Sequence, residues 1–570
     1  MVILRKPSLC VTVLAVLASS ILILASPKDK EKADNSEVKF TSRTELVLIP
    51  TLVTDKSGNH LSGLKKEDFT VLENGAEQKI ATFEEITSDA HRLARSSDPN
   101  IFTNSLEAGP TAGRITLIVL DFINTPYMDQ ASARKELLKY LTHSVDQREP
   151  TALYTLTSSG VHVIHDFTTD PRVLAAALHK VNGDLSQMVD TPQDLETMTG
   201  SASPDGSAGI DTREVQTEAQ RLQTMMEDKE LSFQSFQQRL AITYTLQGMQ
   251  QVAQALAGLP GRKSLIWASG GFPFSVSDNT MKLAPAGRDS LSDVMPMYEH
   301  TWQLLNAAQI AIYPLDVKGL QVTNLADVSV GNPGKNYVRN TTGKEVDTET
   351  TLRAFASMTG GRAYYNSNDL ARGFREAVRD SAEYYMLGYY LNQSNTQSGW
   401  RKLTVKVQRE HVEVRARSGF FVTNATIDPA TSRNNDLVSA LQSPMDYTAL
   451  EVATRWGNSE PGKEPGKKHV NYMVHLTAIP GLIDDADHNH VALEFIALAK
   501  TPEGKQVDQP VTRRIDMHLT AQKLAAIHKE GVIAYVGALD LAAGEYTVRF
   551  VVRDDFSGRI GSVAAPLEVE

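Results

Sequence analysis

Hydrophobic and polar positions follow three different rhythms along the chain. Between residues 44 and 88, short β-prone runs such as ELVLIPTLVTD and DFTVLENGAEQ are separated by Lys56-Ser57-Gly58-Asn59 and by Asn74-Gly75. Asn-Gly between apolar runs is a strong two-residue hairpin signal, so this stretch predicts a small β-rich domain. Residues 89–112 are polar and contain Gly, Pro and Ser, as a connector does. From residue 113 the rhythm changes. Ile115 to Leu120, Lys263 to Ala268 and Ile310 to Leu315 are continuous apolar runs, the mark of strands covered on both faces. Ala152–Thr157 and Val161–Asp166 read as two shorter strands hinged at Ser158-Ser159-Gly160.

Helical periodicity fills the gaps between these runs. Asp129–Val145 sets Leu137, Leu138, Leu141 and Val145 on one stripe, and Asp170–Val181 opens with Asp-Pro, a favoured helix start. Phe233–Leu256 carries Leu246, Met249, Ala253 and Leu256 at helical spacing until Gly258-Leu259-Pro260-Gly261 stops it. Tyr298–Ala308, Thr351–Met358 and the stretch from Asp369 to about Ala382 complete the set, with an edge strand at Ala363–Tyr365. Strands and helices alternating at this length predict an α/β, Rossmann-like doubly wound domain over 113–423, with a parallel sheet between two helix layers. Within it, the polar residues 182–230 form an insertion, and 384–423 reads as a β extension built on Tyr384–Leu391, Leu403–Gln408 and Val412–Phe421. Past a short helix at Asp436–Leu441, Val470–Ala478, Val491–Ala499 and Tyr546–Val552 alternate apolar with polar, which predicts a β-sandwich-like domain over 430–570.

The N-terminus sets the compartment. Arg5 and Lys6 precede an apolar run from Leu9 to Ala25, and a charged linker, 26–43, follows. Residues 1–25 therefore read as a signal peptide cleaved after Ala25, with an uncleaved N-terminal anchor as the alternative and the only route to a membrane. The expected location is secreted or periplasmic. Cys10, the one cysteine, lies inside that run, so the mature chain excludes disulfides, Cys-ligated zinc and thiol nucleophiles. A net charge of -11 leaves no basic surplus to attract nucleic acid or anionic lipid.

Candidate chemistry gathers at the end of the first apolar run. In an open α/β sheet the ligand crevice lies beyond the carboxyl ends of the strands, which places Asp121, Asn124 and Thr125 at such a rim. The stretch RITLIVLDFINT resembles the first strand and metal loop of a von Willebrand factor A (VWA) domain, and the chain is similar to the VWA-related family of exported bacterial proteins abundant in Acidobacteria. That family's VTDKxGxxVxGLxxxDFxVxEDG pattern runs here from Val53 to Gly75, with Asn74 where Asp is usual; YYMLGYY and VRARSGFF are similar to its closing β extension.

The resemblance implies a metal-ion-dependent adhesion site, but a degenerate one. Asp121 matches the leading Asp of Asp-x-Ser-x-Ser, Ile123 replaces the first Ser, and Thr125 stands for the second. Thr243 or Thr245 fills the Thr role, Thr245 being the choice carried forward, while Ala268-Ser269-Gly270 replaces the usual Thr-Asp-Gly and so lacks the second carboxylate. Mg²⁺ takes oxygen ligands and needs compensating charge. No cofactor is therefore certain, and the one implied is Mg²⁺ held weakly. The implied function is non-enzymatic: docking of an unidentified protein partner, or a cell surface, over Asp121, Asn124, Thr125, Ser269, Gly270 and Gly271. On this reading alanine at Asp121 abolishes docking and leaves the melting temperature nearly unchanged.

Two other classes compete. One is a structural envelope component. The other is an enzyme, either a hydrolase using Ser269 or a metal enzyme using the loop Asp484 to His490; Trp267 stands where a nucleophile elbow needs Gly. His162 and His165 are three apart in a strand and point to opposite faces. Gly258 to Ser264 has the wrong spacing for a phosphate loop.

Overall fold

The computed structural model describes residues 46–87, 100–105, 115–143, 150–181, 236–272, 274–277, 280–282, 294–318, 348–367, 369–380, 383–391, 398–422, 429–478, 482 and 489–570. The expected signal peptide, the linker 26–43 and the insertion 182–230 lie outside them. The apolar runs that dominate the middle of the sequence meet in one five-stranded sheet, in the order Ile310–Asp316, Lys263–Ser269, Ile115–Asp121, Thr151–Thr157, Gly160–Thr168. Pairing is parallel across the first four strands and antiparallel at the last. The first four strands are buried at every position, as uninterrupted apolar runs require. Ile115, Leu117 and Val119 face the helices 236–256 and Met295–Ala307, while Ile118 and Leu120 face Tyr127–His143, Pro171–His179 and Leu370–Arg379. Gly248 lets the 236–256 helix approach, because a Cβ there would stand 2.7 Å from a Leu156 methyl.

The doubly wound, Rossmann-like α/β fold expected for the chain is overturned. Strands take up 46% of the described residues against 28% for eight helices, and five of the six sheets are antiparallel throughout. Among the described strands, parallel pairing is confined to the four above. Those conspicuous apolar runs are a minority of the described strands. Most of the other strands carry exposed or half-buried positions, as antiparallel sheets with one wet face do, although His490–Lys500 is buried at all but its two end positions. The predicted edge strand at Ala363–Tyr365 amounts to a single bridge between Leu315 and Tyr364.

The N-terminal strands do not stand apart from the β extension. Leu46–Thr54 lies between Glu413–Arg415 and Glu383–Tyr390, with Thr82–Thr87 beyond, and Phe69–Glu73 lies between Gly399–Val407 and Ala76–Gln78. The two sheets enclose one core that includes Ile49, Val53, Phe69, Tyr385 and Leu387. Asn74 and Gly75 both have positive φ, 48° and 86°, as the tight turn between Phe69–Glu73 and Ala76–Gln78 demands.

At the C-terminus two four-stranded antiparallel sheets face each other, Val532–Ala542, Lys467–Thr477, Val452–Pro461, Phe102–Thr103 and Gln506–His518, His490–Lys500, Gly544–Asp554, Ile560–Val569. Phe102–Thr103 comes from the stretch expected to be a connector. It is held by Asn104, whose buried amide donates to Tyr447 O (2.6 Å) and Leu450 O (2.8 Å) and accepts from Val452 N (2.8 Å). The helix Pro429–Gln442 joins this unit to the middle of the chain, its Arg433 making a two-pronged pair with buried Glu494. Thr448 closes the joint by donating to Ala255 O (2.8 Å) and accepting from Gly258 N (2.8 Å). A Cβ on Gly258 would lie 1.6 Å from Thr448 O, so this glycine permits the contact as well as ending the helix.

Lys263 opens its strand with an ammonium that is 2% exposed and donates to Ala308 O at 2.7 Å. Burial pulls its pKa down to about 7. Because the folded value lies below the unfolded one, Lys263 favours folding at high pH, and that contribution fades as pH falls toward 7. Stability measured by urea unfolding should rise between pH 7 and 9 by up to about 1.4 kcal/mol per pH unit from this group, and Lys263→Met should flatten that rise.

Candidate functional site

Ile115–Asp121 is the middle strand of the five, so its last residue emerges between two neighbours rather than at an edge. Trp267 and Ser269 arrive on one neighbouring strand, and Thr245 on the helix 236–256. Most of the residues singled out from sequence therefore do meet. What they form is a closed network.

Asp121 is 0% exposed and accepts five hydrogen bonds. Oδ1 takes the backbone N–H of Ile123 and of Asn124, both at 3.1 Å. Oδ2 takes Asn124 Nδ2 (2.8 Å), Trp267 Nε1 (3.0 Å) and Ser269 Oγ (3.0 Å). Burial pushes the Asp121 carboxyl above its usual range, against the downward pull of the bonds from Asn124, Trp267 and Ser269. The Asn124 amide also donates to Thr245 Oγ1 at 2.9 Å. An –NH₂ group thus bridges the carboxylate and the hydroxyl that the resemblance assigns to a cation. Thr125 Oγ1, the remaining expected ligand, accepts from Gly270 N at 2.8 Å, and Gln130 pins Thr125 O at 2.9 Å.

The docking surface expected over Asp121, Asn124, Thr125, Ser269, Gly270 and Gly271 is therefore not a surface. All six are buried. A strand-end Asp reaches solvent only when the following loop turns away. Here Asn124 folds back under the loop, and the stem of Lys318 passes over Gly270, 3.2 Å from where its Cβ would be. Lys318 also interacts electrostatically with Asp129 and Asp316, whose carboxyls burial raises and the lysine lowers. Neither Trp267 as a donor nor Lys318 as a cover was read from sequence, though Lys318 stands two residues past a strand-end Asp.

Ser269 is 0% exposed and occupied by Asp121. Of the loop from Asp484 to His490, residues 484–488 lie outside the description; His490 stacks on His518 with ring centroids 4.5 Å apart and bonds Asp516 at 2.8 Å. His162 Nε2 meets Ser159 Oγ (2.7 Å), while His165 Nδ1 turns to Asp166 O (2.6 Å). Among the described residues no group of three or more His, Cys, Asp or Glu is placed to hold a metal.

A recess that the sequence reading passed over lies at the joint between the middle and C-terminal units. It encloses about 630 Å³ between the helices 236–256, Met295–Ala307 and Pro429–Gln442. Gln247, Gln250, Gln251 and Gln254 form one wall; its floor includes Tyr447 and Ile560. The signal was present in LQGMQQVAQAL, as an amide stripe beside the apolar stripe of the same helix.

Compared with known proteins, the chain matches no family profile and no curated sequence.

Asp121→Ala would strand four kinds of buried donor and should lower unfolding stability by about 3 kcal/mol or more in urea titrations. This is opposite to the small effect expected of a rim residue. Asn124→Asp sets a second carboxylate beside Asp121 and should be destabilised without divalent cations. Millimolar Mg²⁺ or Ca²⁺ should restore its melting temperature while leaving that of the natural chain unchanged.

Proposed function

We propose that this chain is an exported, non-enzymatic binding protein of the VWA-related kind, one that engages its partner without a metal. The observation that carries the reading is the 630 Å³ recess at the joint between two units, the kind of place where proteins hold ligands. The signal-peptide pattern of residues 1–25 supports export, and the filling of the Asp121 network by Asn124 supports independence from metal. Among the described residues no helix is long and apolar enough to cross a membrane.

A structural envelope role is the second reading. It is favoured by the 13-residue strand Gln506–His518, which among the described residues is an edge with no strand on its outer side. Photo-cross-linking in producing cells separates the two. With the reactive residue at Val438, 49% exposed in the recess, the full chain should give adducts outside the cytoplasm. With it at Val511 on the edge strand, it should give none. Adducts at Val511 alone would replace binding by structural association, and recovery of the chain in the cytosol would remove export.

A further inference from the structure

We propose that the recess holds an extended, uncharged peptide segment by its backbone. This rests on the reading of the chain as a binding protein and names what it binds.

Gln247, Gln250, Gln251 and Gln254 recur three, four and seven residues apart and so line one face of their helix. From first to last they span about 10 Å of helix axis, the length of about three residues of extended chain. Gln247 and Gln254 offer a donor and an acceptor each, and Gln250 an acceptor, matching the N–H and C=O that every peptide unit must satisfy. Gln250 is already pinned, donating to Thr301 Oγ1 (2.9 Å) and Met297 O (3.3 Å), which fixes the wall against its neighbouring helix. Gln251 Oε1 is buried and has no hydrogen-bond partner, an acceptor that an amide rotation would turn to use.

The rest of the lining narrows the ligand. Val438, Met297 and Leu304 give apolar footing for alternate side chains. The ionisable groups in the lining are His300 and Asp436. Burial lowers His300 and raises Asp436, and each partly offsets that effect on the other; one acid facing one base leaves no surplus of either sign to draw in a phosphate or an acidic tail. Sugars share the need for donors and acceptors but bind over exposed aromatic faces. The aromatic residue of this lining, Tyr447, is 1% exposed and cannot serve as a platform.

Saturation-transfer NMR on the full chain tests this, with a mixture of capped hexapeptides of Ser, Thr, Gln, Val and Leu as one probe and maltohexaose and chitohexaose as the other. The expected result is transfer to the peptides and none to the sugars. Transfer should fall at least tenfold in the Gln247→Ala/Gln254→Ala double variant and in Val438→Asp, which puts a charge in the recess at an exposed position. Melting temperatures of these variants should stay within a few degrees of the natural chain. No transfer to peptides, transfer undiminished in both variants, or transfer to the sugars instead would overturn the proposal. If photo-adducts form at Val438 while peptides give no transfer, the peptide assignment fails and the binding reading stands.

Discussion

One buried carboxylate sets the constraint at the centre of this molecule. Asp121 ends the middle strand of the mixed sheet with no solvent around it, and it stays there because backbone, amide, indole and hydroxyl donors surround it. Those donors belong to the loop that follows its own strand and to the neighbouring strand Lys263–Ser269, and Asn124 carries the linkage on to Thr245 in the covering helix. Loop, sheet and helix are thus fastened at one point. The chemistry that would let such a carboxylate grip a cation is used up inside the chain. An amide –NH₂ makes the same oxygen contacts without the charge and without the shell of water that Mg²⁺ gives up reluctantly.

Much of the middle of the chain was legible because strand burial leaves a coarse trace. Runs such as Ile115 to Leu120 and Lys263 to Ala268 announce themselves, and the helices between them carry clear stripes. The balance of the whole was not legible. Half-buried strands mix polar with apolar positions and leave no continuous run, so strands that dominate the structure read as flanking pieces. Pairing partners were the least visible of all. Nothing local in ELVLIPTLVTD says that its neighbours are YYMLGYY and Glu413–Arg415. At the site, the reading brought the right residues together and mistook their exposure. Position at a strand end is a matter of topology, whereas accessibility depends on where the Asn124 amide and the Lys318 stem lie, and sequence spacing does not encode either.

The joint between the middle and C-terminal units explains why the recess has a defined shape. The Gly258 N–H meets the Thr448 hydroxyl, Arg433 grips Glu494, and Asn104 stitches a stray strand onto the sandwich. Helices fastened at their ends in this way keep a fixed gap between them. A ligand entering that gap would meet groups already in place, and little would be lost to ordering them.

The placement of Leu46–Thr54 reaches beyond the finished structure to how it is made. This strand is internal to its sheet, yet Thr51 pairs with Tyr385, more than three hundred residues further on. At ordinary synthesis rates of about 5–20 residues per second, the segment waits tens of seconds for a neighbour to exist. During that time an apolar ribbon with both flanks unpaired is available to chaperones, to translocation machinery or to other nascent chains. A polypeptide whose first strand finds its partner only after most of the chain has been made leaves that strand uncommitted through nearly all of its synthesis.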